Sequence, residues 1–221
     1  MKHLPTQQAL SGVLLTGFDP FAGDTVNPSW LAVQALHGQA IEGHTVIAAQ
    51  LPTTFAESGE VLRRLLRRYR PALVVCLGVA VGRSALSLER VAINIQDARI
   101  ADNAGLQPID LPVVPHARAA YFSTLPIKAM MQSLTAAGIA AEVSQTAGTF
   151  VCNHVFYALM HALKSQRGSV KARGGFIHVP CLPDQGTPNM PLTEIVRGLR
   201  VAVACALTTD VDSAIGAGTT H

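Results

Sequence analysis

The strongest constraint on what this chain can fold into is an alternation in its first third. Residues 12–18 (GVLLTGF) form a short apolar run that reads as a buried strand. A loop rich in Pro, Gly, Asp and Asn follows (DPFAGDTVNPS). Ser29 is placed to cap a helix through WLAVQALHG, which Gly38 would stop. Residues 44–51 (HTVIAAQL) read as a second strand and residues 56–69 as a helix leading to Pro71. Residues 72–77 (ALVVCL) read as a third strand, closed by Gly78. Strand, helix, strand, helix, strand argues a mostly parallel sheet covered by helices. Ligands in such sheets sit beyond the carboxyl ends of the strands, so the loops after Leu15, Leu51 and Leu77 are where a site is expected.

The middle of the chain changes character. Residues 88–95 (LERVAINI) alternate and read as one strand, and residues 98–115 are loop-rich. A long loop in a compact domain is usually functional or a subunit contact. A helix is expected through PIKAMMQSLTAAG, with Pro126 in its first turn. A short strand is expected at residues 141–144, a helix over residues 152–164, a buried strand at 175–179 and a last helix over 193–207. No repeat or linker divides the chain. The fold class expected is α/β: a single-domain, three-layer sandwich in which a twisted, mostly parallel mixed sheet carries helices on both faces.

Composition narrows the function classes. Hydrophobic residues make up 49% of the 221 residues and charged residues only 14%, which favours a sizeable core and some surface hidden between subunits. The densest basic run, VLRRLLRRYR, puts Leu62, Leu65 and Leu66 on one helix face and arginines on the other. It reads as a solvated helix face rather than a nucleic-acid patch, because no aromatic residues interleave it. The first residues lack the apolar core of a signal peptide, and no apolar stretch has the length of a membrane span. Cys76, Cys152, Cys181 and Cys205 show no CxxC spacing and read as free thiols in a reducing compartment, with no metal site.

Three residues carry the chemistry expected. Cys152 follows TAGTFV at the start of a helix, where unpaired amides favour an anion and can lower a thiol pKa from about 8.5 to roughly 3.5–7.5. Position alone does not choose between a reactive thiol and a buried structural cysteine. His178 ends an apolar strand in GGFIHVPCLPDQ, from which it can reach a site above the sheet, although alone it reads as a core histidine. His154 is two residues from Cys152 on the same helix, where side chains do not face each other, and His116 and His161 have no better case. Glu89 lies between apolar residues in SLERVAIN, and a buried carboxylate needs a partner. A salt bridge to Arg90 or another cation is the ordinary reading. The other is orientation of a histidine in a Cys–His pair, with Asp97, Asp102 and Asp184 as rivals.

The stretches VLLTGFDPFAGDTVNPSW, SLERVAINIQDARIADNAG, AYFSTLPIKAM, SQTAGTFVCNHVFYALMH and GGFIHVPCLPDQ, in this order and spacing, resemble the bacterial pyroglutamyl-peptidase I family almost from end to end. The resemblance implies a cysteine peptidase that removes an N-terminal pyroglutamyl residue from peptides, with Cys152 as nucleophile, His178 as base and Glu89 as its orienter. It also implies Phe18 and Phe21 as a lining for the lactam ring, Phe150 and Val151 beside them, and Arg99 as an oxyanion-side donor. It implies a homotetramer and no metal or organic cofactor. The residues themselves read as one domain over residues 1–221 with a frayed tail from about residue 212, in the cytoplasm, with no nucleic-acid or membrane partner. The chain departs from the family pattern where GVAVGR stands in place of GQAGGR: Val79 replaces a glutamine and Val81 a glycine. The reading from another class is a catalytically silent small-ligand binder or a nucleoside-phosphorylase-like transferase on a similar sheet. GVAVGR gives that reading little, since no GxGxxG opens a helix there.

Overall fold

The computed structural model describes residues 12–165 and 172–218; the N-terminal stretch read for a signal peptide, apart from its last residue, and the last three residues of the tail lie outside the described residues. The expected alternation is present. Strand β1 (Val13–Phe18) leads to helix α1 (Pro28–Ala35), a short β2 (Ala40–Ile41), β3 (His44–Leu51), helix α2 (Phe55–Tyr69) and β4 (Leu73–Val79). Then come β5 (Leu86–Glu89), β6 (Val91–Ile93), β7 (Ala120–Phe122), α3 (Ile127–Ala136), β8 (Ala141–Ser144), α4 (Val151–Lys164), β9 (Arg173–Val179) and α5 (Leu192–Thr208).

One seven-stranded sheet runs in the order β2-β3-β1-β4-β9-β5-β8. The central strands β3, β1, β4 and β9 are mutually parallel. β5 and β8 are parallel to each other but β5 runs antiparallel to β9, and β2 is antiparallel to β3. Alternate residues of each strand point to opposite faces. Leu73, Val75 and Leu77 therefore join a core under α1, α3 and α5, while Val74 and Cys76 join a core under α2 and α4. This is the three-layer α/β sandwich with a mixed sheet.

Local chemistry sets the elements. Thr54 caps α2 by accepting from Glu57 N–H, and Arg70 ends it in the left-handed region at φ 44°. Leu62 and Leu66 are buried while Arg64, Arg67 and Arg68 are exposed, the amphipathic division read from VLRRLLRRYR. Helix α1 is capped by Asn27, not by Ser29: the Asn27 side chain accepts from Ser29 N–H. Ser29 Oγ instead accepts from Phe18 N–H at 3.0 Å, which ties the end of β1 to the start of α1. Gly17 permits that closeness, since a Cβ there would come within 2.5 Å of the Ser29–Trp30 backbone.

The run LERVAINI is not one strand. β5 belongs to the main sheet and β6 pairs antiparallel with β7 in a separate two-stranded ribbon. The chain changes sheets at Arg90, whose N–H donates to Ser144 O and whose carbonyl accepts from Ser123 N–H. Buried Asn153 of α4 then holds the new strand, accepting from Ile93 N–H at 3.0 Å and donating to Ile93 O and Ile95 O at 2.9 Å each. Beyond α5, residues 212–218 carry no helix or strand. They are tied down nonetheless. Asp212 accepts from Lys128 and Ala129 N–H at the start of α3, and Ala217 O accepts from the Arg90 guanidinium.

Candidate active site

His178 lies near the end of β9, with Gly78 of β4 as its register partner on one side and Ser87 of β5 on the other. Glu89 is two residues along β5 from Ser87, so its side chain shares the face of His178. The two meet: Glu89 Oε1 lies 2.7 Å from His178 Nδ1. Glu89 is fully buried and His178 is 4% exposed. An ionised carboxylate can only accept, so Nδ1 carries the hydrogen and Nε2 is left to face a further partner.

Cys152 stands on the same face of the sheet. Its sulfur lies 2.7 Å from where a Cβ on Gly78 would stand. Gly78 and His178 are paired in register, so their side-chain positions share one face at the strand separation of roughly 5 Å. The sulfur thus fills the space beside the imidazole that Gly78 leaves empty. Cys152 comes from the first turn of α4, whose N-cap position, Phe150, supplies no side-chain cap. The approach to it is fixed by short-range bonds. Gly148, at φ 76°, donates to Thr146 Oγ1, and Thr149 Oγ donates to Asp97 O at 2.6 Å.

The thiol does not have the lowered pKa expected from its place at a helix start. Burial pushes it up to about 12, and the negative charge of Glu89 adds to the rise. The positive charge of Arg83 and the residue's own backbone N–H, which bonds the sulfur, act in the other direction and are outweighed. The cysteine keeps some exposed surface, but it is set deep in the protein, and desolvation of a thiolate there exceeds what one helix terminus returns.

Arg83 is the residue that sequence reasoning missed. It stands on the turn after β4, and its Nη1 donates to Glu89 Oε1 at 2.7 Å. A buried carboxylate signals a cation nearby, but Arg90, the neighbour in sequence, instead bonds Ala217 O. The rivals to Glu89 have other work or none here. Asp102 accepts from the N–H groups of Phe55, Ala104 and Leu106, organising the long loop. The side chains of Asp97 and Asp184 make no hydrogen bond or ion pair among the described residues. His154 turns away, its Nδ1 lying 3.0 Å from Gln96 Oε1 and its ring edge-on to Phe55.

The remaining expected residues divide. Phe21, Phe150 and Phe55 form an aromatic cluster, with ring centroids 5.3 Å apart for Phe21–Phe150 and 5.2 Å for Phe55–Phe150. Phe18 and Val151 are core residues at 3% and 0% exposure. Arg99 is exposed and its side chain bonds nothing among the described residues. Val79 packs against the core under α1, α3 and α5, the face opposite Gly78, and Val81 is 85% exposed. Among the described residues no group of three or more His, Cys, Asp or Glu is placed to hold a metal ion.

Comparison with known proteins places the chain in a family. Residues 11–209 match the pyroglutamyl peptidase family. The chain is 55% identical over 214 residues to pyrrolidone-carboxylate peptidase 1 of Ralstonia nicotianae, covering 95% of this chain and 99% of that one. It is 51% identical to a pyrrolidone-carboxylate peptidase of Bacillus cereus, again over 95% of this chain and 99% of the other. Among solved structures, pyroglutamyl peptidase I of Bacillus amyloliquefaciens superposes with a TM-score of 0.90 at 43% identity, covering 94% of this chain and all of that one. The pyrrolidone carboxyl peptidase of Thermococcus litoralis superposes with a TM-score of 0.85 at 36% identity, over 90% and 94% of the two chains. These matches support the cysteine-peptidase reading and not the silent binder or the transferase. With sequence identity and fold agreeing along nearly its whole length, the chain belongs to the pyroglutamyl peptidase family.

Proposed function

We propose that this chain removes the N-terminal pyroglutamyl residue from peptides, with Cys152 as nucleophile, His178 as acid and base, and Glu89 as the group that orients His178. The observation that carries this reading is the 2.7 Å bond from His178 Nδ1 to buried Glu89, made on the face where the Cys152 sulfur stands. The raised thiol pKa means that Cys152 ionises near neutral pH only by passing its proton to a neighbouring base. His178 Nε2 takes that proton as the sulfur attacks the carbonyl carbon of the pyroglutamyl residue. Glu89 stabilises the imidazolium so formed.

Amides at the start of α4 hold the oxyanion of the tetrahedral intermediate. His178 then gives its proton to the leaving amine, and the peptide departs with a free N-terminus. The thioester left on Cys152 is attacked by water, whose proton goes to His178, and pyroglutamate leaves as the sulfur takes the proton back. No step requires a metal or an organic cofactor.

The chain works as one peptidase domain. Its free thiols fit a reducing cytoplasm, and among the described residues no helix is long and apolar enough to cross a membrane. A homo-oligomer, a tetramer by family resemblance, is supported by Ile100, Leu106, Ile109 and Leu111, exposed apolar residues on the long loop. The deciding experiment is turnover of a chromogenic pyroglutamyl amide by the purified protein, beside Cys152→Ala. Release of chromophore by the parent alone is expected. No release by either, or equal release by both, overturns the reading.

A further inference from the structure

The guanidinium of Arg83 makes a bridge that the peptidase chemistry above does not use. Arg83 follows a turn closed by its own N–H donating to Ala80 O, beyond the end of β4. From there the side chain crosses to the far strands of the sheet, passing the edge where β9 ends. Nη1 donates to Glu89 Oε1 at 2.7 Å and to Ser144 Oγ at 3.3 Å, and Nη2 donates to Thr146 O at 3.1 Å. Ser144 Oγ in turn donates to Thr146 O at 3.0 Å. One cation thus ties the carboxylate of the triad to the end of β8 and to Thr146 in the loop that delivers Cys152.

Two features make this more than an ordinary surface ion pair. The oxygen that Arg83 contacts is the one that accepts from His178, while Glu89 Oε2 is buried and has no hydrogen-bond partner. All the charge compensation of a fully buried carboxylate is therefore gathered at one atom, next to the reacting pair. In addition, the Arg83 side chain is 27% exposed, whereas Glu89 is not exposed at all. The cation keeps partial hydration, so its burial costs less than that of its partner.

We propose that Arg83 is a positioning residue that sets the charge around the nucleophile: it offsets the Glu89 carboxylate, so that Cys152 can ionise against His178, and it anchors the loop that carries the cysteine. The inference rests on the assignment of Cys152, His178 and Glu89 made above. The titratable groups that bear on the thiol are Glu89 from β5, Arg83 from the turn and Cys76 from β4, with His178 of β9 on the same face of the sheet. Of these, Glu89 raises the thiol pKa and Arg83 lowers it. Without Arg83 the carboxylate would stand uncompensated, and a thiolate beside it would cost more to form.

The test is the pH dependence of Cys152 alkylation by iodoacetamide, read at that residue by peptide mass spectrometry together with kcat for a pyroglutamyl amide. Arg83→Met is expected to move the alkylation profile to higher pH. Loss of one nearby opposite charge is worth on the order of one pH unit, or about tenfold in rate at a fixed pH below the thiol pKa. Arg83→Lys keeps the charge and is expected to hold the profile near that of the parent while kcat falls through the lost contacts to Thr146 and Ser144. Glu89→Gln moves the profile the opposite way, and the double variant Arg83→Met with Glu89→Gln returns it upward. That last comparison decides the matter even where Arg83→Met alone does not fold.

Equal profiles in Glu89→Gln and the double variant, with kcat reduced by one factor at every pH, overturn the electrostatic role and leave Arg83 a structural tie. The parent assignment fails in a different way: alkylation that abolishes activity would then map to Cys76, Cys181 or Cys205, and the proposal falls with it.

Discussion

Gly78 and Cys152 share one volume: a Cβ added at Gly78 would stand 2.7 Å from the cysteine sulfur and 3.0 Å from a ring carbon of Phe176. Gly78 is also the register partner of His178, so the missing side chain is what lets helix α4 bring a thiol against the face of the sheet that holds the imidazole. The sheet contributes the imidazole and the helix the thiol, and a glycine makes room for the sulfur on that face.

Gly78→Ala should therefore act on the chemistry more than on binding. The added methyl displaces the sulfur or the Phe176 ring, and a misplacement near 1 Å can cost about 10²-fold in rate. Overpacking of this kind also destabilises by roughly 1–3 kcal/mol. The expected outcome is a large fall in kcat, little change in KM and a modest fall in Tm. Unchanged kcat would show that the sulfur sits elsewhere in the working enzyme.

Glu89→Gln tests the third member. The amide still fits and can bond the imidazole, but it carries no charge to stabilise imidazolium, and its NH2 can favour the wrong tautomer. Loss of such a group reaches about 10⁴-fold in kcat in a serine triad, and a cysteine site tolerates the change better. A loss of kcat between about 10- and 10⁴-fold is expected, with KM changed far less. An enzyme with parental kcat would transfer the role to another carboxylate.

Much of this site was legible in the sequence, for physical reasons that also mark where legibility stops. A helix start after small residues leaves Cys152 open as a reactive thiol, a strand end lets His178 reach a site, and the carboxylate of Glu89 asks for a partner, while the family resemblance is what joins the three. What a one-dimensional pattern does not carry is the partner reached across the sheet. Arg83 is six residues from Glu89, yet β9, from far along the chain, lies between their strands. The reading of LERVAINI as one strand likewise misses the change of sheets at Arg90, beyond which Asn153, from far along the chain, offers Ile93 new hydrogen bonds. Ser29 and Asn27 are both good capping residues. The choice between them is made by the Phe18 N–H, which occupies the serine oxygen.

His154 gives a pH prediction with a definite sign. Burial, and then the charge of Arg63, hold its pKa down to about 4 from 6.5. As pH falls, the unfolded chain takes up this proton near 6.5, while the folded protein does not until about 4. The contribution of the neutral ring to stability is whole above 6.5 and is lost as pH falls from there to about 4. His154→Gln, which keeps an amide donor for Gln96, should lose less stability over that interval than the parent. Urea midpoints for both proteins at pH 7.5 and pH 4.5 make the comparison, and equal losses would rule the histidine out as the acid-sensitive group.

The specificity prediction turns on the difference between pyroglutamate and proline. Both present a five-membered ring, but only pyroglutamate has a lactam carbonyl and an uncharged ring nitrogen. The cluster Phe21–Phe150–Phe55 can cover a flat ring face, whereas Phe18, at 3% exposure, is part of the core. Phe21→Ala is therefore expected to raise KM with the fold intact. Phe18→Ala should instead cost stability, about 3–5 kcal/mol for a buried aromatic. Apolar contact alone separates substrates of similar shape poorly, by roughly 10–200-fold for a methylene-sized difference. A site that also hydrogen-bonds the lactam leaves those groups unpaired when proline enters, and rejection then approaches about 10⁴-fold. A protonated prolyl amine adds the cost of shedding water among aromatic rings. Val79, where the family pattern has a glutamine, carries no side-chain donor and packs against the core on the face opposite Gly78. The measurement is kcat/KM for pyroglutamyl and prolyl amides with one leaving group. A ratio near 10⁴ is expected, and comparable values would mean that the pocket recognises ring shape and leaves the lactam unread.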